Sequence, residues 1–270
     1  MPTDLQILIP TADRPAELAV TLAGLVTQDV PFEVVVSDQS LRGGAQRSAP
    51  VRAMLRLLEA HGRPVAVLPH LPRRGLAEQR AFLLGSATAD RVLFLDDDVW
   101  LEPGAVAALL DAIGRLGCGF VGMAPQGLSF VDDVRPSEHR AFEPWAGAVR
   151  PETVRPGSPA FERWRLHNAA NLVHIAASLP LRGDVWTAYR VAWIGACVLY
   201  DRAALVASGG FDFWRDLPDG ATGEDVVAQW RVMERFGGAG LLPSLAVHLE
   251  TPTTIPERPH DAVGAVFGPG

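Results

Sequence analysis

The chain contains no lysine: all 24 of its Lys+Arg residues are arginine. A Schiff-base enzyme is excluded on that ground alone. A GC-rich bacterial genome, where arginine codons replace lysine codons, accounts for the bias. Cysteine is scarce too; Cys118 and Cys197 lie far apart without CxxC spacing. Cysteines so placed serve as buried hydrophobes, not as a disulfide or a zinc site. No apolar run approaches the roughly 18–20 residues of a membrane span. MPTDLQILIP has no basic leader and carries Asp4, so no signal peptide is expected and a cytoplasmic protein is. No GxGxxG follows the first apolar run, and GxxxxGK[ST] and GxSxG are missing. A Rossmann dinucleotide site, a Walker phosphate loop and an α/β-hydrolase elbow therefore have no support. A net charge of −7 argues against a nucleic-acid grip.

What is present is an alternation. LQILI (Leu5–Ile9), EVVVS (Glu33–Ser37), VAVLP (Val65–Pro69) and RVLFL (Arg91–Leu95) read as apolar strands. Helices are expected after Arg14, with Pro15 in the first turn and Leu18, Leu22 and Leu25 inward, and over residues 52–61, with Met54, Leu55, Leu57 and Leu58 inward. Further helices are expected over 75–87 and 103–116. Strands this apolar, separated by helices, imply a mostly parallel α/β sheet covered on both faces. The alternation stops over about residues 125–189, a stretch rich in Pro, Gly and Trp with one or two helices over 161–178. It resumes with WIGACVLY (Trp193–Tyr200) as a strand, a helix over 202–208, a helix Glu224–Phe236 and a last strand or two in LLPSLAVHLE. Residues 251–270 read as a tail. The division expected is one domain over 1–250, in two halves that meet at about residue 124.

Ligands of such sheets bind at the carboxyl ends of the strands. Thr11, Asp13, Asp38, Arg73 and Arg74 fall there, and so do Asp96, Asp97 and Asp98 in VLFLDDDVW. Adjacent carboxylates at the edge of a core are costly unless neutralised. Hard oxygen ligands in that place suit Mg²⁺ or Mn²⁺ held together with a diphosphate. A solvated acidic turn is the bland alternative.

These pieces resemble a family 2 glycosyltransferase with the GT-A fold. ILIPTADRPAELAVTLAGL is similar to the family's opening strand, turn and helix, EVVVSDQS to its second strand, and RRGLAEQR to its Gly-then-Arg segment. LDDDVWLEPGAV is similar to its DxD motif, GACVLYDRAALVASGGFD and GEDVVAQWR to its acceptor strand and Glu-Asp motif, and PSLAVHLE to its closing strand. The likeness runs in order over about residues 5–250, and it implies a single catalytic domain over 1–250 with a nucleotide-binding half to about 124 and an acceptor-side half beyond it. It implies an inverting, Mn²⁺- or Mg²⁺-dependent enzyme that moves one sugar from a UDP-, GDP- or dTDP-sugar to a sugar or lipid-linked glycan acceptor, in bacterial polysaccharide, glycolipid or glycoconjugate synthesis.

The resemblance also implies roles. Pro10, Thr11, Arg14, Asp38, Gly75, Arg80, Asp96 and Asp97 would bind the donor, Asp98 and His248 the metal. Asp225, with Glu224 beside it, would act as general base. Cys197 and Trp214 would face the acceptor. Asp38 could equally cap its turn, Arg80 could be a solvated helical arginine, Glu224-Asp225 could simply cap a helix, and Trp214 could be core. One aspartate stands in Ser37-Asp38-Gln39-Ser40 where many relatives carry two. QxxRW of processive synthases is missing, which favours single transfer. Peripheral attachment to the inner face of a membrane through an amphipathic face is the second localisation considered, without a strongly basic stretch to support it. A catalytically degenerate nucleotide-binding protein and a sugar nucleotidyltransferase are the rival readings; the latter would want a Gly-rich basic loop that LIPTADRP lacks.

Overall fold

A computed structural model describes residues 4–41, 43–180, 186–253 and 260–268. Its strands are β1 (Leu5–Thr11), β2 (Glu33–Asp38), β3 (Val65–Pro69), β4 (Arg91–Leu95), β5 (Val99–Leu101), β6 (Phe120–Gly122), β7 (Thr187–Tyr189), β8 (Cys197–Asp201), β9 (Gly238–Leu242) and β10 (Ala246–His248). Its helices are α1 (Pro15–Val26), α2 (Ala49–Ala60), α3 (Leu76–Ser86), α4 (Ala105–Leu116), α5 (Pro136–His139), α6 (Asn171–Ser178), α7 (Arg202–Ala207), α8 (Glu224–Phe236) and α9 (Ala262–Phe267). Eight strands form one sheet in the order β3-β2-β1-β4-β8-β6-β9-β7, and β5 pairs with β10 in a ribbon.

From β3 to β4 every pairing is parallel, because α1, α2 and α3 carry the chain back between strands. β8 then enters antiparallel between β4 and β6, and β9 resumes the parallel direction beside β6. All seven residues of β1 are buried, as a strand covered on both faces requires. On one face Leu18, Leu22 and Leu25 of α1 pack with Leu109 and Ile113 of α4; on the other Leu83 of α3 packs with Val227, Trp230 and Met233 of α8. Each such fully buried aliphatic side chain contributes about 1.5–3 kcal/mol.

Four expectations meet a different arrangement. Leu57 of α2 is 37% exposed, because Val51 and Leu58 take the buried stripe, with Met54 and Leu55 half-buried beside it. The strand expected from Trp193 begins only at Cys197: Ala196 has φ 64, and Gln229 of α8 bonds both the N–H (2.8 Å) and the C=O (2.6 Å) of Ile194. The unpatterned stretch 125–189 holds a 3₁₀ segment, Pro159–His167, then α6. Buried Arg163 braces it, reaching Glu143 at 3.1 Å and Glu152 at 2.8 Å; residues 181–185 lie outside the described residues. In the stretch read as a tail, Asp261 caps α9 through the N–H groups of Val263 and Gly264, and Phe267 packs against Trp230; residues 254–259 and 269–270 are outside the described residues.

Close packing at the far edge of the sheet makes one test of this register. A Cβ on Gly240 of β9 would lie 2.3 Å from the Tyr189 ring, which is fully buried. Gly240→Ala is therefore expected to lower stability by about 1–3 kcal/mol, read as a shifted urea midpoint with unchanged slope. An unshifted midpoint would mean that Tyr189 and Gly240 are not neighbours.

Candidate active site

The ends of β1 and β4, the start of α8 and the end of β10 enclose a cavity of about 580 Å³. Pro10, Thr11, Arg14, Arg80, Asp96, Asp97, Asp98, Glu224, Asp225 and His248 all border it. The β5–β10 ribbon sets the last of these in place: His248 pairs with Val99, and the Leu249 N–H donates to the Asp98 carbonyl at 2.9 Å.

Two arginines answer the charge of the three aspartates. Arg14 donates to Asp97 Oδ1 at 3.2 Å and reaches Asp98 Oδ2 at 2.9 Å. The Thr11 hydroxyl donates to Asp97 Oδ2 at 2.6 Å. Burial pushes the Asp97 carboxyl up to about 7; Thr11 and Arg14 pull it back, and Asp98 and Asp96 push it further up. Arg80, its side chain 5% exposed, donates to Asp96 Oδ1 at 2.8 Å. Its Nε lies 3.2 Å from Glu224 Oε1, within ion-pair range but off the line of a hydrogen bond. Arg80 thus ties the end of β4 to the start of α8. Burial pushes Glu224 up to about 7, with Arg80 opposing and the Asp225 carboxylate adding to it. Burial also raises Asp96, again against Arg80. Arg80 itself stays charged, since the surrounding carboxylates outweigh its own burial.

Glu224 and Asp225 have different surroundings despite adjacency. Glu224 is buried at 3% exposure against Arg80, whereas Asp225 is half-buried and borders the cavity. Asp225 Oδ1 accepts from the Val226 N–H at 2.9 Å. Its Oδ2 lies over Gly195, 3.9 Å from where a Cβ would sit there. Gly223, at φ 87, makes the left-handed turn that starts α8 at this point.

A divalent cation can be tested against these groups. Asp98 Oδ2 and His248 Nε2 lie 3.4 Å apart on the cavity wall. Among the described residues no cluster of three or more His, Cys, Asp or Glu side chains could hold a metal ion. One or two protein ligands are nevertheless enough for a cation that takes the rest from diphosphate and water. The Asp98 carboxylate fits that demand. His248 fits it only in part: its Nδ1 accepts the Glu250 N–H at 2.8 Å, which leaves the proton of a neutral ring on Nε2, facing Asp98. Ligation through Nε2 requires the other tautomer and the loss of that bond.

Four residues given roles by the resemblance lie off the cavity, as do Asp13, Arg73 and Arg74 from the strand ends. Asp38 accepts from the N–H groups of Ser40 (2.9 Å) and Ala45 (2.6 Å), so its carboxylate closes the loop after β2. Gly75 precedes α3 at φ 112, and a Cβ there would come within 3.0 Å of the Gly220 nitrogen. Cys197 is fully buried in the core beneath α1 and α4, and burial pushes its thiol up to about 12. Trp214 lies beside Arg74 and Arg215, whose guanidinium groups are 5.9 and 5.5 Å from its ring centre. Two aromatic residues not singled out in the sequence do border the cavity: Trp193 and His167.

A mostly parallel sheet whose strand ends carry this aspartate turn, faced by an acidic helix start, defines the GT-A glycosyltransferase fold. The family model for glycosyl transferase family 2 matches residues 6–157, more than half the chain, and the chain belongs to that family. It is similar to the mannosyltransferase PcManGT from Pyrobaculum calidifontis, solved with GDP-Man and Mn²⁺, at 16% identity and TM-score 0.56, over 94% of this chain and 59% of that one. It is likewise similar to S. aureus TarS 1-349 in complex with UDP-GlcNAc, at 17% identity and TM-score 0.55, over 94% of this chain and 60% of that one. At such identity the likeness is one of fold, and the chain spans about six-tenths of the length of those chains. No curated protein matches it. Among the described residues no helix is long and apolar enough to cross a membrane.

Proposed function

We propose that the chain transfers one sugar from a nucleoside-diphosphate sugar to an acceptor hydroxyl with inversion at the anomeric carbon. The observation that carries this reading is the half-buried Asp225 carboxylate in the same cavity as Asp97 and Asp98. A base in one wall and a diphosphate-holding turn in another suit a single displacement: the hydroxyl, losing its proton to Asp225, attacks from the side opposite the departing diphosphate. Thr11 and Arg14 orient the Asp97 carboxylate toward the ribose. Arg14, already between Asp97 and Asp98, adds positive charge where the diphosphate leaves. Mn²⁺ or Mg²⁺, when bound, would offset the charge of the diphosphate. Asp98 would hold it, with His248 joining only as the second tautomer. Arg80 is a positioning residue in this scheme. The nucleotide identity, the acceptor's glycan class and a place at the inner face of a membrane belong to the same proposal as consequences to be measured.

Thermal stability measured with UDP, GDP, dTDP and CDP, each with and without Mn²⁺, tests the donor site. A ligand that binds only the folded state at about 100 times its Kd adds about 2.7 kcal/mol. One nucleotide is expected to raise the midpoint by several degrees with Mn²⁺ present, and Asp98→Ala is expected to abolish the Mn²⁺-dependent part. No shift with any of the four would refute a working donor site.

A further inference from the structure

The wall of the cavity facing Asp225 is built by the segment before β8. Gln229 of α8 clamps the backbone of Ile194 at both its N–H and its C=O, and the Trp230 indole N–H donates to the Ala192 carbonyl at 2.8 Å. Trp193 between them is half-buried, borders the cavity and leans on Phe161 at a ring separation of 5.8 Å. The helix that carries Asp225 in its first turn therefore also fixes the position of Trp193, through residues about one turn further along.

His167 borders the same cavity. Its Nε2 lies 3.2 Å from the Tyr189 hydroxyl, which has no other hydrogen-bond partner among the described residues. A buried phenol must donate its proton, so Nε2 accepts and the ring carries its own proton on Nδ1. Burial pulls the imidazole down to about 4, which keeps it neutral at pH 7. Nδ1 has no partner and is shielded from water. An N–H left so is costly, and in a native cleft it calls for an acceptor. The two arginines of the cavity, Arg14 and Arg80, are both engaged by carboxylates.

We infer that Trp193 and His167 form the subsite for the acceptor, and that the acceptor residue bound there is an uncharged sugar ring. The inference rests on the transferase reading above. An aromatic face takes the apolar face of the ring, and the neutral Nδ1–H, covered in the ring position described, takes a hydroxyl oxygen once a small turn of the His167 side chain uncovers it toward the cavity. A hydroxyl seated over Gly195 then meets Asp225 Oδ2. Among the described residues a carboxylate or phosphate on the same ring would find no free cation at this wall, and it would face the Asp225 carboxylate.

The test is ¹⁹F NMR of protein labelled with 5-fluorotryptophan, the Trp193 signal being assigned with Trp193→Phe. The protein is saturated with Mn²⁺ and the nucleoside diphosphate that raises its midpoint. Methyl glycosides of glucose, galactose, mannose and N-acetylglucosamine are titrated in, with methyl glucuronide as the charged control. At least one neutral glycoside is expected to move the Trp193 signal, and the glucuronide to leave it in place. His167→Ala is expected to weaken that glycoside about tenfold, and His167→Asn, which restores an N–H near the Nδ1 position, to stay within about threefold of the parent. Silence with every neutral glycoside while the nucleotide still binds overturns the subsite and leaves the donor reading standing. So does a glucuronide that binds as tightly, an unchanged affinity in His167→Ala, or a Trp193 signal that moves only with the nucleotide sugar. If no nucleotide binds at all, the transferase reading fails first and separately.

Discussion

Asp225→Asn is expected to lower kcat by about 10²–10⁴-fold while leaving the nucleotide-induced rise in thermal midpoint unchanged. The substitution keeps shape and an oxygen for the Val226 N–H, so the start of α8 keeps its 2.9 Å bond. It removes only the capacity to take a proton at the cavity. The loss should fall on kcat, because the hydroxyl's proton moves in the transition state and not on binding. Glu224→Gln provides the contrast. Glu224 is buried against Arg80 and does not present a free carboxylate to the cavity as Asp225 does, so its effect should appear in stability more than in kcat. An Asp225→Asn enzyme that retained a tenth of its kcat would remove Asp225 as the base. It would also leave the adjacent acidic pair as a helix-start feature that complements the dipole.

How much of such a site is legible in an amino-acid sequence depends on the kind of signal each residue leaves. α8 is legible residue for residue, since glycines at 223 and 237 bracket an uninterrupted helical run. The strands β1 to β4 are legible because each is a short apolar run at the start of a repeating unit, and the aspartates stand out because three carboxylates follow such a run. The ribbon of β5 and β10 is not, since three-residue strands carry no period. Trp193 is hidden inside an apolar octet that reads as one strand, because the clamp that bends it comes from Gln229, distant in sequence. His167 lies in a 3₁₀ segment without apolar periodicity, and only the fold brings it to Tyr189. Arg80 is visible as a charge on a helix, but its partners at Asp96 and Glu224 are 16 and 144 positions away, so its direction into the core is not.

Arg80→Met is expected to cost about 3–5 kcal/mol at pH 8, because it leaves Asp96 and Glu224 beside each other without their cation. The apolar replacement keeps most of the volume and the contact with Phe94, whose ring centre is 5.9 Å from the guanidinium. The deficit should depend on pH, with a sign that the carboxylates set. Glu224 is pushed up to about 7 in the fold from an ordinary 4.5, chiefly by burial. A carboxyl raised in this way contributes its stability in full below about pH 4.5, and that contribution is lost as the pH rises through 7. Without Arg80 the opposing pull disappears, so the carboxyl rises further and more stability is lost on the alkaline side. At pH 5 buried Glu224 and half-buried Asp96 can take up protons and tolerate the methionine; at pH 8 they either ionise unpaired or hold protons against the pH, and both cost stability. Urea unfolding of wild type and variant at the two pH values reads this directly: the gap should be small at pH 5 and widen to its full size at pH 8. Glu224→Gln in the same background should close part of the gap at pH 8. A deficit equal at both pH values would mean that Arg80 holds the site by packing on Phe94, and that its charge does not join the two halves of the cavity.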